Sequence, residues 1–302
     1  KKRGRVAAPI KTNTMGMALF SVLAFLCGEA SALRVGVTPA RLISLRITVS
    51  PMCSVAVFGA SGGTGSEAVL QALERGEEVT CLVRDRNKLV APRTAAGFTA
   101  GAPLLPAAGS EKLTVTQGSV TARGDVDAVF AGKDVTGVVV ALGGKTSDVG
   151  PTMLQDGTAN IVSACKQYGV KRISIVTTIG AGDSMDQAPW AFRLLMMTVM
   201  SSIMADKNAQ ESVITTAGAD LEYCIVRPGG LKSEPPTGIV TAGNDQDAGA
   251  ITRADVAAFC LDAVLEPDFQ FLGQAVSISS NMGSGFQSVL ADKTKSRMAA
   301  KK

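Results

Sequence analysis

The residues best suited to chemistry in this 302-residue chain are three glycines at a spacing of three, in the turn Gly59-Ala60-Ser61-Gly62-Gly63-Thr64-Gly65. Each is asked for by a different physical need. Gly59 lets the chain turn sharply off a strand, Gly62 removes a side chain where a phosphate must reach the backbone, and Gly65 lets helix and strand pack closely. A helix starting inside the turn would aim free N–H groups and the positive end of its dipole at an anion. Two cations follow within reach, Arg84 and Lys88. Histidine is absent from the chain, which excludes Ser-His and Cys-His catalysis and histidine-based metal sites. The six cysteines (27, 53, 81, 165, 224 and 260) contain no C-x-x-C pair, so a zinc ribbon and a thioredoxin-type motif are excluded as well. Several lie in apolar runs and read as buried free thiols.

The elements that would hold this turn can be read on either side of it. Val55-Ala56-Val57-Phe58 is a buried strand, and Ala68, Val69, Ala72 and Leu73 form the apolar stripe of a helix ended by Gly76. Val79-Thr80-Cys81-Leu82-Val83 is a second strand. Strand, glycine turn, helix and strand within one short unit are the context that makes a glycine motif informative. An acid at the end of the second strand would hold the ribose 2′-hydroxyl of NAD, whereas an arginine accommodates the 2′-phosphate of NADP. Arg84 ends the strand and Lys88 lies a turn further on, so the register favours NADP(H) over NAD(H); Asp85 reads as a helix N-cap.

Further strands are expected at 113–117, 137–141, 173–178, 221–226 and 274–278, with helices at 125–130, at 157–168 (ended by Gly169) and from Thr252, an N-cap. Strands apolar on both faces indicate a parallel sheet covered by helices on both sides. Ala141 and Gly143 fall at its carboxyl edge, where a nucleotide would lie. The fold class is α/β: a single doubly wound, Rossmann-type domain over about residues 52–282, with strand order 3-2-1-4-5-6 and an added edge strand. Residues 91–111, rich in Ala, Pro and Gly without a period, read as a flexible insertion. The apolar stretch 189–204 carries one Arg193 and is too short for a membrane span. Its methionines 196, 197, 200 and 204 read as core packing, with a hydrophobic substrate wall as the other reading.

The unit from Ser54 to Arg84, with Ser61, Thr64 and the closing LVRD, resembles the atypical short-chain dehydrogenase/reductase superfamily, in particular its NmrA-like, NAD(P)-binding branch. The string GVKRISIVTTIGAGDS (169–184) is similar to that family's GVKRFV-VSS-GA, and GADLEYCIVRPGGL (218–231) to its SGLDYTIVRPGGL. The resemblance covers about residues 53–281 and implies several roles. Thr177 or Thr178 would polarise a substrate carbonyl, Pro228 and Gly229 would lie against the nicotinamide, and Lys207, followed by Glu211, would hold the nicotinamide ribose. Ser119 replaces the aspartate that meets adenine, leaving Val120 to pack on the base. The family's Tyr-x-x-x-Lys proton donor is missing: Ile203 stands four residues before Lys207, and the chain's two tyrosines are Tyr168 and Tyr223. For Lys207 the other reading is a surface lysine paired with Glu211 at i+4. Function therefore divides between an NADP-dependent oxidoreductase on a hydrophobic, quinone or carbonyl substrate, a non-catalytic NADPH-binding regulatory or assembly protein, and a structural subunit of a complex.

The termini differ from this domain in charge. Residues 1–51 hold eight Lys/Arg and one acid, and residues 292–302 hold five and one. Removing these from the chain's 30 basic and 26 acidic residues leaves 17 and 24, a net −7 for residues 52–291, which argues against a nucleic-acid surface. The apolar run from Met17 to Cys27, followed by Ala30-Ser31-Ala32, has the form of a signal-peptide core and cleavage site. The acid-free, arginine- and hydroxyl-containing stretch after it is transit-like. Together they point to a plastid reached by the secretory route, with another organelle, or a cytosolic product starting at Met52, as alternatives. Residues 283–302 read as a basic, mobile tail.

Overall fold

The computed structural model describes residues 53–92, 100–104, 110–144, 150–243 and 249–280. The expectations for residues 1–51 and for the tail from 283 lie outside them. Ten strands and six helices are found among the described residues. β1 (Ser54–Phe58), β2 (Glu78–Val83), β3 (Leu113–Gln117), β4 (Val135–Val140), β5 (Arg172–Val176), β6 (Glu222–Pro228), β8 (Thr241–Gly243) and β10 (Gln274–Ser279) form one sheet in the order β3-β2-β1-β4-β5-β6-β10-β8. All neighbours are parallel except β8, which runs antiparallel to β10. The expected order 3-2-1-4-5-6 is the one observed, but the far edge carries two strands. β8 is three residues ending in Gly243, too short to show a period of two in the sequence.

Alternation along β1 explains the three layers. Val55 and Val57 face a core shared with α1 (Gly63–Glu74) and α6 (Arg253–Leu265), through Ala68, Val69, Val256, Cys260 and Leu261. Ala56 and Phe58 face the opposite core, with Val126 and Phe130 of α2 (Arg123–Phe130), Ile161 and Cys165 of α3 (Met153–Tyr168), and Ile214 of α5 (Ser201–Thr216). A strand that buries both faces needs apolar side chains at every position, and all five β1 residues are buried. Asp85 caps the short 3-10 turn after β2 by accepting from the Asn87 amide at 3.0 Å. Thr252 caps α6 by accepting from the Asp255 amide at 3.0 Å.

Two segments differ from the sequence expectation for identifiable reasons. α3 starts at Met153 rather than at Gly157. Gly157 is interior because a Cβ there would lie 2.8 Å from a Val120 methyl, so its glycine serves packing and not initiation. The stretch 189–204 is two helices, α4 (Trp190–Met197) and the start of α5, separated at Thr198. Met196 and Met204 are buried together, whereas Met197 is 63% exposed. The insertion 91–111 is anchored at its described ends: Ala91 donates to the Ala102 carbonyl (2.7 Å), Leu104 donates to that of Leu89 (3.1 Å), and Leu89, Ala91 and Leu104 are all buried. A separate two-stranded parallel sheet joins β7 (Gly230–Lys232) to β9 (Ala250–Thr252). No helix among the described residues is long and apolar enough to cross a membrane.

Gly65 illustrates how tightly α1 is set on the end of β1: an added Cβ would fall 2.1 Å from the Gly59 carbonyl oxygen. Gly65→Ala is expected to cost about 3 kcal/mol, since backbone cannot yield as a flexible side chain does. Gly143→Ala, with nothing within 4 Å, should stay within about 0.5 kcal/mol. Chemical denaturation of both variants checks the pair.

Candidate functional site

The parallel strands β2, β1, β4 and β5 end side by side, and their carboxyl ends line a cavity of about 820 Å3. Gly59 turns off β1 with φ +85, in the left-handed region, and the Gly62 amide donates back to its carbonyl at 2.9 Å. α1 begins without a side-chain cap and with no acid in its first turn, so its leading amides are available to an anion. Gly59, Ser61, Gly62, Gly63 and Thr64 form this part of the wall. Arg84 and Lys88 stand at the end of β2, and Ser119 and Val120 beyond β3. Ala141 and Gly143 stand beyond β4, and Thr177 beyond β5, with Lys207 of α5 behind. Among the described residues the cavity wall carries four cations, Arg84, Lys88, Lys207 and Arg253, and no carboxylate, on a domain with net charge −7.

Four of the residues singled out in the sequence are not on this wall. Gly65 sits behind the turn, against Gly59. The Thr178 hydroxyl donates to the Ile179 carbonyl at 3.3 Å. Pro228 accepts from the Ile179 amide at 3.1 Å, and Gly229 is packed so that a Cβ would meet the Gly249 carbonyl at 2.0 Å. β7 carries the chain from the end of β6 into the small sheet. Conversely, Arg253 and Leu231 line the cavity although no local signal marks them. Their position depends on the β7–β9 register, which pairs Leu231 with Ile251.

Lys207 is not a surface lysine. It is buried, and its ammonium donates to the Val176 carbonyl (3.0 Å), Gln210 Oε1 (3.1 Å) and, at 3.4 Å, the Leu142 carbonyl. Gln210 is itself held by donating to the Thr158 hydroxyl at 3.1 Å. Burial pulls Lys207 from 10.5 down to about 8, against the opposing pull of Asp206 and Glu211. Asp206 accepts from the Leu154 and Gln155 amides, both at 2.9 Å, so a carboxylate of α5 caps the N-terminus of α3. Glu211 pairs with Arg227 rather than with Lys207: its carboxylate accepts from Arg227 at 2.7 and 3.1 Å, with both side chains buried. Glu211 also accepts the Thr177 hydroxyl proton at 2.6 Å. With its proton directed at Glu211, the Thr177 oxygen meets the cavity as an acceptor. Burial opposes the Arg227 charge, but Glu211 and Asp183 outweigh it and hold its pKa up; Arg227 in turn holds the Asp183 carboxyl below its usual value.

A glycine turn at the end of the first strand, an uncapped helix behind it and a carboxylate-free cationic cavity across a doubly wound sheet fit a phosphate-bearing dinucleotide. These features define a Rossmann-type dinucleotide-binding protein. Residues 59–267 match the model of the NAD(P)H-binding family, and the chain belongs to that family. It is 32% identical over 227 residues to an uncharacterized chloroplastic protein of Arabidopsis thaliana, covering 72% of this chain and 74% of that one. Among solved structures it is similar to ChuY, an anaerobillin reductase from Escherichia coli O157:H7 (23% identity, 75% of this chain and 97% of that one, TM-score 0.59). It is also similar to a short-chain dehydrogenase/reductase from Veillonella parvula in complex with NADP (17% identity, 75% and 94%, TM-score 0.59). At these identities the two structures speak for the fold.

Two outcomes test the buried network. Below about pH 8 the folded chain must bury a charged Lys207. Between about 8 and 10.5 the unfolded chain binds more protons than the folded one, so stability rises with pH across that window. The gain is on the order of 3 kcal/mol, and Lys207→Met should lack it in urea titrations at pH 7 and 10. Glu211→Gln strips Arg227 of its buried counter-charge and should cost about 3–5 kcal/mol, read by the same titration at pH 7.

Proposed function

We propose that the protein is an NADP(H)-dependent oxidoreductase acting on a hydrophobic, quinone- or carbonyl-type substrate without a Tyr-x-x-x-Lys proton donor. The observation that carries the reading is the described cavity wall itself, with four cations, no carboxylate, and two of the cations, Arg84 and Lys88, at the end of β2. In this reading Arg84 and Lys88 take the 2′-phosphate, while the glycine turn and the N-terminus of α1 take the diphosphate. Lys207 and the Thr177 oxygen lie at the nicotinamide end, where Lys207 exchanges its long 3.4 Å bond to the Leu142 carbonyl for one to a ribose hydroxyl and Thr177 accepts from the other. When bound, the dinucleotide supplies hydride transfer. The chain supplies position and charge. The matching proton comes from water, or from solvent directly for a substrate such as a quinone. Lys207, pulled down to about 8 by burial, is the buried amine at this end of the cavity.

A second reading, a regulatory or assembly protein that binds NADPH without turnover, is favoured by Ile203 in the tyrosine's place and by the Thr177 proton being held by Glu211. Its mark is tight binding with no oxidation of NADPH by quinones or enones. A plastid location is proposed on the signal-plus-transit composition of residues 1–51, supported by the chloroplastic relative. The same proposal takes 52–282 as the domain and 283–302 as its tail.

Calorimetric titration of the full chain tests the reading. NADPH is expected to bind at least about 10-fold more tightly than NADH, and Arg84→Ala to remove about that factor from NADPH while leaving NADH unchanged. Binding of neither nucleotide would refute both readings.

A further inference from the structure

Arg253 begins α6 directly after β9, where the small sheet sets it beside Ser233, the residue following β7. Its side chain lies across the glycine turn: a Cβ added to Gly63 would be 2.7 Å from Arg253 Cδ and 2.8 Å from its Nε. The first residue of α1 is thus bare of side chain where a guanidinium covers it. Arg253 also stands between two hollows, the main cavity and a second one of about 580 Å3, which share Ser61, Gly62, Gly63 and Arg253 on their walls.

The guanidinium is poorly matched by the protein. It has five N–H donors, and among the described residues its one hydrogen bond is to the neutral Ser233 hydroxyl, at 2.8 Å. The carboxylate whose field reaches it is Glu67 on α1, and burial outweighs that field. Among the described residues, then, this half-buried arginine is held by one hydroxyl and donates to no charge-matched acceptor. The other three cations of the cavity are placed elsewhere along it, Arg84 and Lys88 at the end of β2 and Lys207 behind β5. Arg253 is the one over the turn at the end of β1.

We infer that Arg253 is the counter-charge for the diphosphate of the bound dinucleotide, swinging from or sharing its bond to Ser233 to meet phosphate oxygens at the N-terminus of α1. This rests on the dinucleotide reading above. It adds a residue 188 positions beyond the end of the glycine motif, and it makes the β7–β9 sheet the part of the fold that delivers that charge. Arg84 then selects between nucleotides, whereas Arg253 serves both.

Titration of the wild-type chain, Arg253→Ala and Arg253→Lys with NADPH, NADH and adenosine 2′-monophosphate tests it. The last ligand carries the 2′-phosphate and no diphosphate. Arg253→Ala is expected to weaken NADPH and NADH by the same factor, about 10- to 100-fold, with adenosine 2′-monophosphate unchanged. Arg253→Lys, which keeps the charge and loses the planar fork, should fall between. Losses below about twofold for both dinucleotides, a loss confined to NADPH, or an equal loss of all three ligands would each overturn the assignment. If the wild type binds neither dinucleotide, the dinucleotide reading itself fails and the role of Arg253 falls with it.

Discussion

The backbone contact between Gly65 and Gly59 is the constraint on which the site depends. α1 must start within van der Waals reach of the strand end that feeds it, because only then do its leading amides point across the carboxyl edge of the sheet. With a Cβ at Gly65 placed 2.1 Å from the Gly59 oxygen, or one at Gly59 placed 2.3 Å from that of Ala141, helix, turn and β4 could not all keep their places. The apolar double-faced β1 supplies the burial that holds them there. Chain stiffness and burial thus act on the same few residues.

α5 provides a second kind of order. Asp206, Lys207, Gln210 and Glu211 are all buried on it, and together they reach the start of α3, the ends of β4 and β5, Thr158 within α3, and Arg227 of β6. Taking these groups out of water is costly, and an apolar helix would pack the same space with a smaller penalty. What the polar set provides is fixed geometry at the edge of the cavity. The buried Glu211–Arg227 pair ties β6 to α5 and, through the Thr177 hydroxyl, to the end of β5. The KxxxE spacing is therefore a pair of separate contacts rather than an i,i+4 ion pair.

Doubly apolar strands, the glycine turn and Arg84 at a strand end are local patterns, legible in the amino-acid sequence, and the central sheet and one wall of the cavity follow from them. Residues whose roles depend on tertiary register are not legible in the same way. Arg253 looks like an ordinary residue in the first turn of α6, and its place over Gly63 exists only because β9 pairs with β7. Pro228 and Gly229 sit in a well-marked motif, yet the turn into β7 takes them off the cavity. Nor does the sequence say whether Lys207 faces water, because α5 mixes buried polar groups with apolar ones and shows no clear apolar stripe.

One feature outside the site sets how the protein can be watched. Trp190 is the chain's single tryptophan and is 79% exposed at the start of α4, on an outward stripe continued by Leu194 and Met197. Indole emission therefore reports from water and from one face of one helix, while both main cores are silent in it. Loss of the sheet would leave that emission almost where it began. A shift to shorter wavelength would mean instead that something has come to cover α4.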